Sequence, residues 1–222
     1  MLTSARPLLL VGGGKMGEAL LGGWLRQGLD ADAVRIVEPE AGRRRLLADT
    51  HGVGAVAGPD ELDPALHPGA LLLAVKPQMM DAALPAYVGQ LAADTLVISI
   101  AAGKPIALFE QALGMGLGVV RAMPNTPAAV GRGVTVLCAN EAASEAQRAL
   151  AERLMAAVGA VHWVADEDQM HAVTAVSGSG PAYVFHLIEA LAAAAERAGL
   201  PEPLAMELAR GTVVGAGELA RQ

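Results

Sequence analysis

The sequence predicts an α/β protein, with an open, doubly wound sheet in its N-terminal part and an all-helical region behind it. The runs LLLV (8–11), VRIV (34–37), ALLLAV (70–75), LVISI (96–100) and GLGVV (116–120) are continuously apolar, as expected of parallel strands covered on both faces. Between them lie GKMGEALLGGWLRQG, PEAGRRRLLADTHG and PQMMDAALPAYVGQLA, whose helical character makes right-handed crossovers. After Trp163 no strand-like run follows before Gln222. The expected division is therefore 1–164 for the sheet domain and 165–222 for the helical one.

VTVLCA (134–139) and AVHW (160–163) predict two further strands. The helix between them runs from Ser144 to about Val158, because Ser144 and Gln147 form a capping box and Gly159 is a natural stop. In the last segment, apolar helices are expected over 181–199 and 203–220. They carry too few polar residues for the surface of an isolated domain, which predicts an obligate homodimer formed through them. No repeat of fixed period and no low-complexity linker interrupts the chain.

The totals exclude several classes. A chain of 222 residues that is 53% hydrophobic can bury a full core. A formal charge of −7 with few lysines argues against nucleic acid, whose binding needs phosphates to be neutralised. Cys138 is the lone cysteine, so no internal disulfide forms, and a reducing cytoplasm is the expected location. The N-terminal apolar run is about five residues, against the roughly 7–15 of a signal-peptide core. PAYVFHLIEALAAAAERAGL contains His186 and Glu189 and ends at Pro201, a poor bilayer span. No membrane partner is expected.

VGGGKMG (11–17) fits G-x-G-x-x-G with Gly12, Gly14 and Gly17 in register, after the first strand and opening the first helix. Glycines there permit the tight turn and the approach of a pyrophosphate to the backbone, while the helix start offers free N–H groups. The bland alternative is a glycine-rich strand-to-helix turn, but this context favours a dinucleotide. Glu38 ends the second strand, about 20 residues further on, where a carboxylate bonds the adenosine ribose. It repels a 2′-phosphate, so of NADH and NADPH the sequence leans to NADH. Arg43, Arg44 and Arg45 stand either as the solvated face of a helix or as an answer to that phosphate.

AVKPQ (74–78) and SIAAG (99–103) end two strands and point at the crevice where ligands of open α/β sheets lie. Lys76 reads equally as an exposed strand-end lysine. RAMPNTP (121–127) places two prolines around Asn125 and Thr126. Prolines exclude a helix interior or central strand and stiffen the backbone, and the polar pair supplies donors and acceptors on short arms. In SGSGPAYVF (177–185), Ser179 is expected to cap a helix whose first turn holds Pro181. The motif is then either a tightly packed helix start or a set of free N–H groups for a substrate carboxylate.

His51, His67, His162, His171 and His186 lack metal-ligand spacing, so no metal is expected. Cys138 reads as a small core residue. No G-x-S-x-G elbow appears, leaving serine hydrolysis without support.

Taken in order, VGGGKMG, AVKPQ, SIAAG, RAMPNTP and AVTAVSGSGPAY resemble pyrroline-5-carboxylate reductases over nearly the whole chain. The resemblance implies a Rossmann-type dinucleotide-binding domain, an all-helical dimerisation domain and often a decamer built from dimers. It also implies reduction of 1-pyrroline-5-carboxylate, a small cyclic imine, to L-proline with NADPH or NADH. On that pattern the stretch Gly12, Gly13, Gly14, Lys15, Met16 and Gly17 takes the pyrophosphate. Ala74, Val75, Lys76 and Pro77, with Ala101, Ala102 and Gly103, line the nicotinamide half, and Met123, Pro124 and Asn125 back the ring. Glu167 falls in the acidic turn that borders the cofactor, while His171 stands where the family often has Asp. Family members usually continue about 40–50 residues beyond the position of Gln222, through a stretch like SPGGTT, so the helical domain is expected to be incomplete here.

The expected chemistry is hydride transfer to the carbon of a C=N bond, in which the protein chiefly positions two flat rings and excludes water. No obligatory side-chain acid is visible, and Ser177, Ser179 and Thr174 are the candidate substrate contacts. A β-hydroxyacid dehydrogenase shares the two-domain plan but needs a lysine from its helical domain. The lysines here are Lys15, Lys76 and Lys104, and their absence from the helical region counts against it. A non-catalytic nucleotide-binding or assembly protein is the rival of another class.

Overall fold

The structure, a computed structural model, describes residues 2–222. Eight strands form one sheet: β1 Leu8–Val11, β2 Val34–Val37, β3 Gly54–Val56, β4 Ala70–Leu73, β5 Leu96–Ser99, β6 Gly118–Met123, β7 Gly133–Ala139 and β8 Gly159–Trp163. Their order is β3-β2-β1-β4-β5-β6-β7-β8, so the chain winds outward in one direction from β1 and then, after β3, in the other. Every pair is parallel except β6 with β7. The reversal follows from length: 124–132 is too short for the crossover that a parallel return requires.

Continuous apolar strands bury both faces. Leu8 and Leu10 belong to one core and Leu9 and Val11 to the other, because successive side chains alternate across the sheet. The helices α1 Lys15–Arg26, α2 Ala41–His51 and α5 Glu145–Ala156 contribute Leu20, Leu21, Trp24, Leu47, Ala151 and Met155 to the first core. Trp24 also donates its indole N–H to the Leu154 carbonyl at 2.8 Å, which joins α1 to α5. The capping box at Ser144 and Gln147 is present as the sequence predicts.

Several elements depart from expectation. The edge strand β3 and the helix α4 Ile106–Leu113 are not among the expected elements, and both are short, at three and eight residues. The stretch 77–92 is helical only in part. A 3₁₀ turn over Pro77–Met79 leads into α3 Met80–Ala83 and then a second 3₁₀ segment, Leu84–Gln90, because Pro85 lacks an N–H and cannot extend the α-helix.

Beyond β8 the chain is helical: α6 Gln169–Val173, a π-turn over Thr174–Gly178, α7 Gly180–Arg197 and α8 Glu202–Ala220. Helices α7 and α8 form an antiparallel hairpin in which Ala192, Ala205 and Ala209 are the buried residues. Tyr183, Phe185, Leu187, Leu208, Val214 and Leu219 are exposed. No helix among the described residues is long and apolar enough to cross a membrane.

Candidate active site

The carboxyl ends of β1, β2, β4 and β5 are held together by bonds that continue past the strands. Gly12 donates to the Val37 carbonyl at 2.9 Å, Ala74 to Val11 at 2.8 Å and Ile100 to Leu73 at 3.1 Å. This rim carries the glycine loop. Gly12 has φ +97°, and a Cβ there would lie 2.8 Å from the Ala74 carbonyl oxygen. A Cβ at Gly17 would lie 2.4 Å from the Gly12 oxygen, so α1 starts as close to β1 as a backbone can come. A Cβ at Gly14 would meet nothing within 4 Å.

Gly14 is also the N-cap of α1 and contributes no side-chain bond. The first-turn amides of Lys15, Met16 and Gly17 therefore have no side-chain cap, and the positive end of the helix lies behind them. A pyrophosphate fits this cradle: small, rich in N–H donors, and too tight at Gly12 and Gly17 for any side chain. Lys15 is exposed and Met16 half-buried at its edge.

Glu38 lies beside the cradle and is buried. Its Oε2 accepts from the Gly13 N–H at 2.7 Å and its Oε1 from the Glu40 N–H at 2.9 Å. The carboxylate is thus fixed at the end of β2 and keeps lone pairs for a ribose hydroxyl. The arginines nearby are more than a solvated face. Arg43 donates Nε to the Gly13 carbonyl at 2.6 Å and pairs Nη2 with Glu18 at 2.6 Å, while Arg44 holds the Glu38 carbonyl at 2.9 Å. Glu40 caps α2 through the amides of Gly42 and Arg43.

On the other side of the rim, Ala101 is buried, Ala74, Val75 and Pro77 are half-buried, and Lys76, Ala102 and Gly103 are exposed. Lys76 serves as the N-cap residue of the Pro77–Met79 turn. The strand β6 ends at Met123, and Pro124 and Asn125 behind it are buried. Asn125 spends both ends of its amide: Oδ1 accepts from Val134 N at 2.8 Å and Nδ2 donates to the Ser177 carbonyl at 3.1 Å. A Cβ on Gly178 would come within 2.4 Å of Met123 Cε. The two motifs RAMPNTP and SGSGPAY are therefore in direct contact.

Ser179 does not cap α7. Its backbone is right-handed helical, with no side-chain cap bond, and its N–H donates to the Thr174 carbonyl at 2.8 Å. The π-turn carries α6 almost directly into α7, so the expected row of free amides is partly occupied. What faces the junction instead is the Ser177 hydroxyl, buried and without a partner. π-turns of this kind often mark functional positions. The Thr174 hydroxyl donates to the Met170 carbonyl at 2.8 Å.

Glu167 makes a tie that spacing alone did not reveal. Its Oε1 accepts from Arg121 Nη1 at 2.8 Å and from the Ile106 amide at 2.9 Å. Arg121 is 4% exposed, and a charge so buried requires such a partner. The visible signal was an arginine inside the apolar run GLGVVRAM. Burial pushes the neighbouring Cys138 thiol up, and the negative charge of Glu167 pushes it further while Arg121 opposes both. The thiol stays protonated and inert. Among the described residues no cluster of three His, Cys, Asp or Glu side chains forms a metal-binding group.

Comparison with known proteins gives a consistent result. A family model described as pyrroline-5-carboxylate reductase dimerisation matches residues 167–222, and one described as NADP oxidoreductase, coenzyme F420-dependent, matches residues 8–103. The pyrroline-5-carboxylate reductase of Pseudomonas aeruginosa is 40% identical over 213 residues, covering 96% of this chain and 77% of the relative. That of Synechocystis sp. is 43% identical over 214 residues, covering 96% and 78%. The solved pyrroline-5-carboxylate reductase from Coxiella burnetii superposes with a TM-score of 0.88 at 37% identity, over 97% of this chain and 80% of that one. The Plasmodium falciparum pyrroline carboxylate reductase, solved with NADP bound, gives 0.84 at 28% identity, over 99% and 80%. The chain belongs to the pyrroline-5-carboxylate reductase family.

Proposed function

We propose that the chain reduces 1-pyrroline-5-carboxylate to L-proline with a reduced nicotinamide dinucleotide. Residues 1–164 would hold the cofactor, and residues 165–222 the helical part that completes the substrate side. The observation that carries the reading is the contact between Asn125 and Ser177, which brings the helical region to the carboxyl end of β6, on the rim where a cofactor would end.

Gly12, Gly13, Gly14, Lys15, Met16 and Gly17 would form the pyrophosphate cradle: Gly12 and Gly13, whose N–H groups are held by Val37 and Glu38, shape the turn, and the amides of Gly14, Lys15, Met16 and Gly17 would meet the phosphates. Glu38 would take the adenosine ribose and favour NADH over NADPH. Ala74 to Pro77 and Ala101 to Gly103 would line the nicotinamide half, with Met123 and Pro124 behind the ring. Asn125 and Glu167 serve that half indirectly. Asn125 fixes the Ser177 turn, and Glu167 neutralises Arg121 and caps α4, so both hold the helical region in place.

When bound, the cofactor supplies the hydride for the imine carbon, and the protein need provide no redox group. The chain's own task is to hold the two rings in register and keep water out. The Ser177 hydroxyl is the free donor at the junction, with Ser179 and Thr174 on the same turn as further substrate contacts. A substrate protonated on its imine nitrogen requires no side-chain acid.

The hairpin of α7 and α8 supports a homo-oligomer. Its exposed apolar residues would be covered by the same hairpin of a second copy, giving a homodimer, and dimers would assemble further into a decamer. A cytoplasmic site of action fits the reducing compartment expected from a single cysteine.

The test is loss of NADH absorbance on addition of pyrroline-5-carboxylate to the purified protein, with proline identified as product. Turnover is expected. Binding of dinucleotide without turnover would favour a nucleotide-binding protein instead. Glu38→Ser should raise the use of NADPH relative to NADH by about tenfold, and an unchanged ratio would remove Glu38 from the ribose site.

A further inference from the structure

We infer that Glu18 sets cofactor preference from outside the ribose site, by neutralising the arginine that would otherwise read a 2′-phosphate. This rests on the dinucleotide reading of the glycine cradle.

Gly13 is gripped from two sides. Its N–H goes to the Glu38 carboxylate at 2.7 Å and its carbonyl to Arg43 Nε at 2.6 Å. The guanidinium of Arg43 and the ribose-reading carboxylate therefore flank a single residue, which places the arginine at the edge where a 2′-phosphate differs from a hydroxyl. Of the three consecutive arginines, Arg43 alone bonds the glycine loop. Arg44 is turned back on the carbonyls of Glu38 and Pro39. An unopposed guanidinium at that edge is a phosphate receptor with five donors.

Arg43 is not unopposed. Its Nη2 lies 2.6 Å from Glu18 Oε2, with the two side chains 23% and 36% exposed. Glu18 sits in the first turn of α1, so the pair ties the start of α1 to the start of α2. Two bonds use two of the five N–H groups, and the remainder stay available to a ligand. Glu18 thus leaves Arg43 in position but cancels its charge. Glu38 repels a 2′-phosphate directly, whereas Glu18 acts only through Arg43. It is a positioning residue and not a ligand contact.

The test is calorimetric titration of the full chain, with Glu18→Gln, Arg43→Gln and the double variant, using ADP-ribose and 2′-phospho-ADP-ribose at low and physiological salt. Neither probe can be reduced, so the readout is independent of turnover. Glu18→Gln should leave ADP-ribose affinity within about twofold and tighten 2′-phospho-ADP-ribose by about fivefold, the scale of a partly exposed ion pair. That gain should shrink with salt and vanish in the double variant. An unchanged ratio of the two affinities in Glu18→Gln, or a gain that survives removal of Arg43, would overturn the inference while leaving the dinucleotide site intact. Failure of both probes to bind the unmodified chain would overturn the site and the inference together.

Discussion

The sheet and the terminal helical hairpin are built from similarly apolar sequence and treat it in opposite ways. In β1, β4 and β5 every residue is buried, and each strand feeds two cores. In α7 and α8 the buried residues are alanines, while Tyr183 is 61% and Leu219 71% exposed. Small residues let the two helices approach each other, and the large ones are left pointing outward. The difference shows that hydrophobicity marks a residue for burial without saying by what. A sheet covered on both faces finds its partners within one chain, whereas a two-helix hairpin has too little surface of its own to cover both faces.

The contrast can be broken most sharply by truncating one leucine in each region. Leu72→Ala in the sheet should cost about 2–5 kcal/mol, whatever the protein concentration. Leu208→Ala in the hairpin should cost little in dilute solution, with a penalty that grows as association saturates, because its burial would depend on a second copy. Urea unfolding at micromolar and at tenfold lower concentration, alongside light scattering, measures both. Equal and concentration-independent losses would erase the distinction, and a monomer at micromolar concentration would remove the proposed dimer.

A smaller effect is expected where the two regions are tied together. Asn125→Ala would leave the Val134 N–H and the Ser177 carbonyl without their partners, at about 1–3 kcal/mol. Hydrogen exchange should then quicken at Val134 and around the π-turn before it changes in β1 or β4. Uniform protection loss across the sheet would mean that the bond supports the core and not the junction.

The smallest effect sharpens the description of the sheet core alone. Burial pushes the Tyr87 hydroxyl up to about 12, and the side chain is 3% exposed. A folded-state pKa above the unfolded one adds stability below pH of about 10, and that stability is lost as pH rises through 12. The alkaline limb of the stability curve should flatten in Tyr87→Phe by less than the roughly 2.7 kcal/mol that two pKa units represent. An identical alkaline limb would show that the ring is wetter than the structure makes it.

Much of the candidate site was legible because its geometry depends on backbone and local order. Gly12, Gly14 and Gly17 declare a tight turn by their spacing, and Glu38 by its place at a strand end. The capping box at Ser144 declares a helix start in the same local way. The roles of Arg43 and Arg121 were not legible, since Glu18 lies 25 positions before one and Glu167 lies 46 after the other. Ser179 misled for a related reason: serine before glycine and proline favours a cap, yet the segment ahead of it stays helical and removes the free end a cap would serve.

By itself the sequence determined the periodicities, the glycine turn, the proline knuckle and the change from strands to helices at Trp163, all of which are governed by contacts within a few residues. Only the tertiary structure decided that Asn125 closes the Ser177 turn, that Arg43 answers to Glu18, and that Arg121 is neutralised by Glu167. Those outcomes depend on which distant groups the wound sheet brings within about 3 Å of one another, a distance at which hydrogen bonds and charges act and about which local order carries no information.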